Sequence, residues 1–169
     1  LFCAEGARVV LVDLEQEVLT QVAAEISTNV SSASVNTIAA DISIEDDAAQ
    51  AMEEAVSCLG GIDVLINNAG IRKFNHLTDA TLGSWHEIIS VNLLGTANCA
   101  KFAMPYLRTS AAGTIVNVSS VYGEIGRKNM GQYDATKAAI NSMTRTLAHE
   151  EAEHGIRVNS VCPGGTLTP

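Results

Sequence analysis

The chain has 169 residues and a formal charge of −9, with ten Lys and Arg against nineteen Asp and Glu. A surface this acidic repels nucleic-acid backbones and anionic bilayers, which sets aside binding to nucleic acid or to a membrane surface. Hydrophobic residues make up 47% and charged residues 17%, which excludes a disordered chain and supplies material for a core.

Short β-branched runs alternate with longer stretches of helical period, the mark of parallel βαβ construction. Arg8 to Asp13 reads as a strand buried on both faces. Glu15 to Ser27 follows as a helix whose apolar face is Val18, Val22 and Ile26. Ser34 to Ala40 is a weaker strand. Ser43, with Asp46 at the third position, is the expected N-cap of a helix reaching Leu59, where Gly60-Gly61 ends it. Asp63 to Asn67 is a strand, and Ser84 to Leu107 one long helix with Pro105 disturbing its last turn. Thr114 to Val118 is a strand, Gln132 to Glu153 a helix stopped by Gly155, and Ile156 to Cys162 the final strand. This order predicts a doubly wound, Rossmann-like α/β sheet forming a single domain over 1–169.

The most apolar stretch, Ile88 to Leu107, is interrupted by Asn92, Asn98 and Lys101, so no membrane span is expected. Cys3, Cys58, Cys99 and Cys162 form no C-x-x-C, and no His stands at ligand spacing. Free thiols in a reducing, cytoplasmic setting and no metal are therefore expected.

Ligands of such sheets bind beyond the carboxyl ends of the strands. Asp13 ends the first strand, where an acidic residue binds adenosine ribose hydroxyls and repels a 2′-phosphate; a capping role explains it equally well. Asp41 and Ile42 end the second strand, suited to an adenine amino group and its apolar face, with the same capping alternative. Asn67-Asn68-Ala69-Gly70 ends the third, with small residues that let backbone pass close to a ligand, although an ordinary turn also favours them. Tyr133 and Lys137, four apart on one helix, face the same way. An ammonium near a phenol favours the phenolate and makes Tyr a proton donor and acceptor near neutral pH. Ser120, at the end of the preceding strand, places a hydroxyl for a substrate oxygen, and Asn92 is an amide within a helix that needs a reason to be there.

The segments Asn67 to Gly70, Val91-Asn92-Leu93, Val116 to Ser120, Tyr133 to Lys137 and Val158 to Gly164 together resemble the short-chain dehydrogenase/reductase family, in consistent order along the chain. The resemblance implies Tyr133 as general acid/base, with Lys137 lowering its pKa and holding the nicotinamide ribose. Ser120 would orient the substrate oxygen, and Asn92 would anchor a water of a proton relay. It further implies Asp13 at the adenosine ribose, Asp41 and Ile42 at the adenine, and Asn68, Ala69 and Gly70 on the adenosine side. Pro163, Thr166 and Thr168 would lie at the nicotinamide end.

The same resemblance implies that a Gly-rich loop, a first central strand and a last strand lie outside this segment, leaving the sheet incomplete. Residues 1–169 alone are then expected to be neither stable nor active, which a cooperative unfolding transition with NAD turnover would refute. The expected reaction is hydride transfer between NAD, with NADP less favoured, and a small secondary alcohol or ketone. The alternatives are a 3-oxoacyl-thioester reductase, with Arg127 and Lys128 as the only basic cluster near Tyr133, and a non-catalytic nucleotide-binding scaffold. The helices over 84–107 and 132–153 suit a homo-oligomer, dimer or tetramer, through Ala138, Ala139, Met143 and Leu147, though core packing explains those residues as well.

Overall fold

The computed structural model describes residues 1–165. Its elements are β1 (Arg8–Asp13), α1 (Gln16–Asn29), β2 (Ser34–Ala39), α2 (Glu45–Leu59), β3 (Val64–Asn67), α3 (Leu82–Ile89), a π turn (Ser90–Gly95), α4 (Thr96–Leu107), β4 (Thr114–Val118), α5 (Gly131–Glu150) and β5 (Arg157–Val161).

All strand pairs are parallel, as the alternation of strands and helices dictates, but they form two sheets, β1-β2 and β3-β4-β5. Among the described residues β1 and β3 each keep one edge without a strand partner, so the expected incomplete Rossmann-like sheet is what is found. The burial of β1 also corrects its reading as a strand buried on both faces. Val9 to Val12 are only partly buried, and Val64 and Ile66 of β3 are 50% and 41% exposed.

The main core lies between the β3–β5 sheet and helices α2 and α4. Met52 and Ala55 of α2 meet Ala100, Ala103, Met104 and Leu107 of α4 over Leu65, Ile115 and Val158. On α1 the inward residues are Leu19, Ala23 and Ile26, spaced i, i+4 and i+7, whereas Val18 and Val22 face outward at 46% and 38% exposure.

Ser43 does not cap α2: Ile44 holds that position without a side-chain bond, and the Ser43 hydroxyl donates instead to Asp41 Oδ1 at 2.7 Å. A hydroxyl with a carboxylate two residues away takes the charge-assisted local bond. The helix expected over 84–107 is three pieces, with α4 continuing through Pro105 to Leu107. Likewise α5 ends at Glu150 and a single 3-10 turn, Ala152–His154, leads to Gly155.

Candidate active site

The carboxyl ends of β3, β4 and β5 open onto one cleft of about 510 Å³. It is lined by Asn68 and Gly70 after β3, Ser119 and Ser120 after β4, Pro163 after β5, and Tyr133 and Lys137 from the first turns of α5. Parallel pairing puts these ends side by side, with Asn67 opposite Asn117 and Val118 opposite Val161. A buried amide chain fixes that register: Asn67 Nδ2 donates to Asn117 Oδ1 at 2.9 Å, and Asn117 Nδ2 to the Thr144 hydroxyl at 2.8 Å. Asn117 and Thr144 were not singled out from the sequence. A polar residue in the middle of an apolar strand was the available signal.

Helix α5 is held against the end of β4 through Lys137. Lys137 is 3% exposed, and its ammonium donates to the Val118 carbonyl at 2.6 Å, while its carbonyl accepts the Ser119 hydroxyl at 2.9 Å. Burial, and then the charge of Arg72, hold the Lys137 ammonium below the ordinary lysine pKa. Ser120 Oγ accepts the Tyr122 N–H at 3.2 Å, which leaves the Ser120 hydroxyl proton to donate elsewhere. Tyr133 packs its ring against Ile88 and Met130, 5.5 Å from the Lys137 ammonium. Its hydroxyl makes no hydrogen bond among the described residues, whereas the one fully buried side-chain atom lacking a partner is Asp134 Oδ2. The phenol is thus open to the cleft.

Asn92 lies in the π turn, completely buried. Its Oδ1 accepts the Ile71 N–H at 2.7 Å, and its Nδ2 donates to the Ile71 carbonyl at 3.0 Å and to the Thr136 hydroxyl at 3.0 Å. Both amide protons are spent on protein, which explains why an amide sits in a helix: it ties the loop after β3 to α5.

The remaining expected residues sit at the other strand ends. Asp13 is exposed at the end of β1 and accepts the Leu14 N–H at 2.7 Å. Asp41 Oδ1 accepts both the N–H and the hydroxyl of Ser43. Ile42 packs on Gly95, where a side-chain Cβ would meet Ile42 Cδ1 at 2.9 Å, and its carbonyl accepts Asn98 Nδ2 at 3.1 Å. Asn68, Ala69 and Gly70 are exposed where β3 stops. Thr166 and Thr168 lie outside the described residues. Arg127 contributes more than its sequence neighbourhood suggests. Its guanidinium stacks 3.7 Å from the centre of the Tyr122 ring and pairs with Asp134 at 3.2 Å.

A nicotinamide dinucleotide fits this donor set. The Lys137 ammonium has three donors and faces no carboxylate in the cleft, as sugar hydroxyls require, and the small residues Ala69 and Gly70 leave the approach from β3 clear. Among the described residues no group of His, Cys, Asp and Glu could hold a metal, and no helix is long and apolar enough to cross a membrane.

Similarity to known proteins agrees with the geometry. The chain is 39% identical over 160 residues to 2-(S)-hydroxypropyl-CoM dehydrogenase 3 of Xanthobacter autotrophicus, which covers 95% of this chain and 62% of that protein. It is 39% identical over 127 residues to a 3-oxoacyl-acyl-carrier-protein reductase of Staphylococcus epidermidis, covering 75% of this chain and 52% of that protein. The crystal structure of levodione reductase superposes with a TM-score of 0.94 at 34% identity, covering 98% of this chain and 65% of the other. The chain therefore spans roughly half to two-thirds of the length of these relatives. The family model described as short chain dehydrogenase matches residues 1–169 throughout, and the chain belongs to that family.

Proposed function

We propose that this chain carries the catalytic centre of an oxidoreductase that interconverts a small secondary alcohol and its ketone with NAD, within one dinucleotide-binding catalytic domain. The observation that carries the reading is the Tyr133 hydroxyl, open to the cleft between the buried Ser120 and a Lys137 ammonium that faces no acid. When bound, the nicotinamide ring accepts or supplies the hydride at the carbon that becomes carbonyl or carbinol. The Ser120 hydroxyl donates to the substrate oxygen and fixes its position. In oxidation Tyr133 Oη takes the proton leaving that oxygen, and in reduction it returns one, so the oxygen never carries a full charge. Lys137 stabilises the phenolate and offers its remaining N–H donors to the nicotinamide ribose. Asn92 positions Ile71 and α5, and a relay water held there would need its carbonyl or the second lone pair of Oδ1, since its amide protons are used.

Asp13 would hold the adenosine ribose and disfavour a 2′-phosphate, Asp41 and Ile42 the adenine, Asn68, Ala69 and Gly70 the adenosine side, and Pro163, Thr166 and Thr168 the nicotinamide end. Two features support a cytoplasmic homo-oligomer: the four cysteines are unpaired, and a groove between α4 and α5 is lined by Ala97, Ala100, Met104, Met143 and Leu147. Similarity to the 3-oxoacyl reductase supports a second substrate reading, but Arg127 is tied inward to Tyr122 and Asp134 rather than offered to an acidic carrier.

The test is Tyr133→Phe in the whole protein. Turnover of secondary alcohols should fall about 100- to 10,000-fold while cofactor affinity stays within a few-fold. Activity near the native level would remove the mechanism, and a preference for NADPH over NADH would remove the role given to Asp13.

A further inference from the structure

The cleft around the Tyr133 hydroxyl is cationic in a protein whose formal charge is −9. Arg72, Arg127 and Lys137 line it, and no Asp or Glu does. Two of the basic residues in this neighbourhood are already compensated. Arg127 is paired with Asp134 at 3.2 Å, and Lys73, next to Arg72 in the chain, with Glu87 at 2.5 Å. Lys137 spends one donor on the Val118 carbonyl. Both arginines lie near the Tyr133 ring, Arg127 at 5.3 Å and Arg72 at 5.8 Å from its centre, but Arg72 forms no ion pair among the described residues.

Two cations without an acid between them repel each other, so the charge of Arg72 adds to burial in holding the Lys137 ammonium below the ordinary lysine pKa. An anion placed between them would reverse that sign. Guanidinium is also the side-chain group whose planar fork matches a carboxylate with two parallel hydrogen bonds. On an acidic protein such an anion would be repelled from most of the surface and admitted where the local field is positive.

We propose that Arg72 is a specificity residue that receives the carboxylate of a short hydroxy or oxo acid, whose reacting carbon lies at Tyr133. The proposal rests on the oxidoreductase reading above and narrows its substrate class to anions. Ser120 and Tyr133 hold the carbinol or carbonyl oxygen, Arg72 holds the acid group, and the two contacts together set which carbon is presented for hydride transfer. Arg127, closed off by Asp134 and Tyr122, packs the wall of the cleft.

The experiment compares kcat and KM of the whole protein for 3-hydroxybutanoate and its uncharged isostere 3-hydroxybutanamide, with 2-hydroxypropanoate and 4-hydroxypentanoate and their amides as the shorter and longer secondary alcohols. It uses native protein, Arg72→Met and Arg72→Lys. The acid should be preferred over the amide by about tenfold in kcat/KM, as expected for one charge-assisted bidentate contact. Measured at neutral pH, below the alkaline limb of kcat, Arg72→Met should erase that preference through KM for the acid, leaving amide turnover and cofactor KM within about twofold, and Arg72→Lys should restore part of it. Acid and amide handled alike, equal losses on both, or a loss confined to cofactor KM would each overturn the proposal. The last result would assign Arg72 to the dinucleotide phosphates. Malonate binding, measured by calorimetry on the native protein and Arg72→Met, reads the same contact without turnover. No binding, or binding unchanged by Arg72→Met, overturns the anion site. Arg72-dependent malonate binding in a protein that oxidises no alcohol would overturn the oxidoreductase reading while sparing the site.

Discussion

Asn92 holds Ile71 by both ends of its backbone unit, accepting the N–H at 2.7 Å and donating to the carbonyl at 3.0 Å. The side chain thus imitates a neighbouring strand just where β3 has run out of partners. Asn92→Leu fills the space but leaves the Ile71 groups and the Thr136 hydroxyl without those bonds. It should cost about 2–4 kcal/mol in chemical denaturation and lower kcat as the loop loosens from α5. Stability within about 0.5 kcal/mol of native would show that water replaces the clamp.

Gly123 faces the backbone of α5 at Lys137. A Cβ there would stand 2.9 Å from the Lys137 carbonyl carbon and 3.0 Å from Ala138 N, atoms of a helix that cannot step aside. Gly123→Ala should destabilise by about 1–3 kcal/mol and reduce kcat more than it raises KM, because the displaced parts carry Ser120 and Tyr122. Unfolding measurements paired with steady-state kinetics check both effects, and an unaltered kcat would mean that the loop absorbs the methyl group.

Lys137 makes activity and stability respond oppositely to alkali. Its folded pKa is lowered, first by burial and then by Arg72, so catalysis that needs the ammonium declines as pH rises through that lowered value. Stability runs the other way. Burying the charge costs most at low pH, and the cost is relieved as pH climbs from the folded value towards the unfolded one. Arg72→Met removes the second cause and should move the alkaline limb of kcat to higher pH. A limb that stays in place would show that another group governs it.

Glu151, 5% exposed, receives Arg108 through two hydrogen bonds of 2.8 and 2.6 Å, and this contact holds its carboxyl below the ordinary glutamate range. The stabilisation is complete above the unfolded glutamate pKa and is lost as pH falls through the lowered folded value. Arg108→Met should therefore reduce stability at neutral pH and flatten its decline below about pH 4, where unperturbed glutamate protonates. Thermal midpoints from pH 3 to 8 test this, and parallel curves for the two proteins would assign the acid limb elsewhere.

Much of the site was legible because its residues stand at strand ends and one helical turn apart, relationships that spacing encodes directly. Tyr133 and Lys137 line one cleft from a single face of α5, as their spacing implied, and Ser120 joins them from the end of β4. Where the structure departed from expectation, tertiary partners decided. Val18 and Val22 share the periodicity of a buried face, but Leu19 is the buried residue, with Ala23 and Ile26 partly buried beside it. Ser43 has the chemistry of a cap and gave its hydroxyl to Asp41 instead. The pairing of Arg127 with Asp134 spans only seven positions, yet it depends on a loop path that composition does not encode. Burial of Cys99, which pushes its thiol up to about 11, likewise follows from the α2–α4 contact and not from its neighbours in sequence.

The π turn has a consequence for helical phase. Ile88 packs with Met130 and Tyr133, whereas Ala100, Ala103 and Leu107 of α4 lie in the main core, with the buried Asn92 and Thr96 between them. At 3.6 residues per turn, the stretch from Ile88 to Leu107 makes about five and a quarter turns, which would leave its two ends roughly 100° apart. The wider turn absorbs about one residue of rotation and so sets the phase at which Ile88 meets Met130 and Tyr133 while Leu107 meets the main core. Removing a single residue between Ser90 and Gly95 would therefore do more than shorten a helix: one half would roll by about a quarter turn, taking either Ile88 or the α4 core face out of the interior.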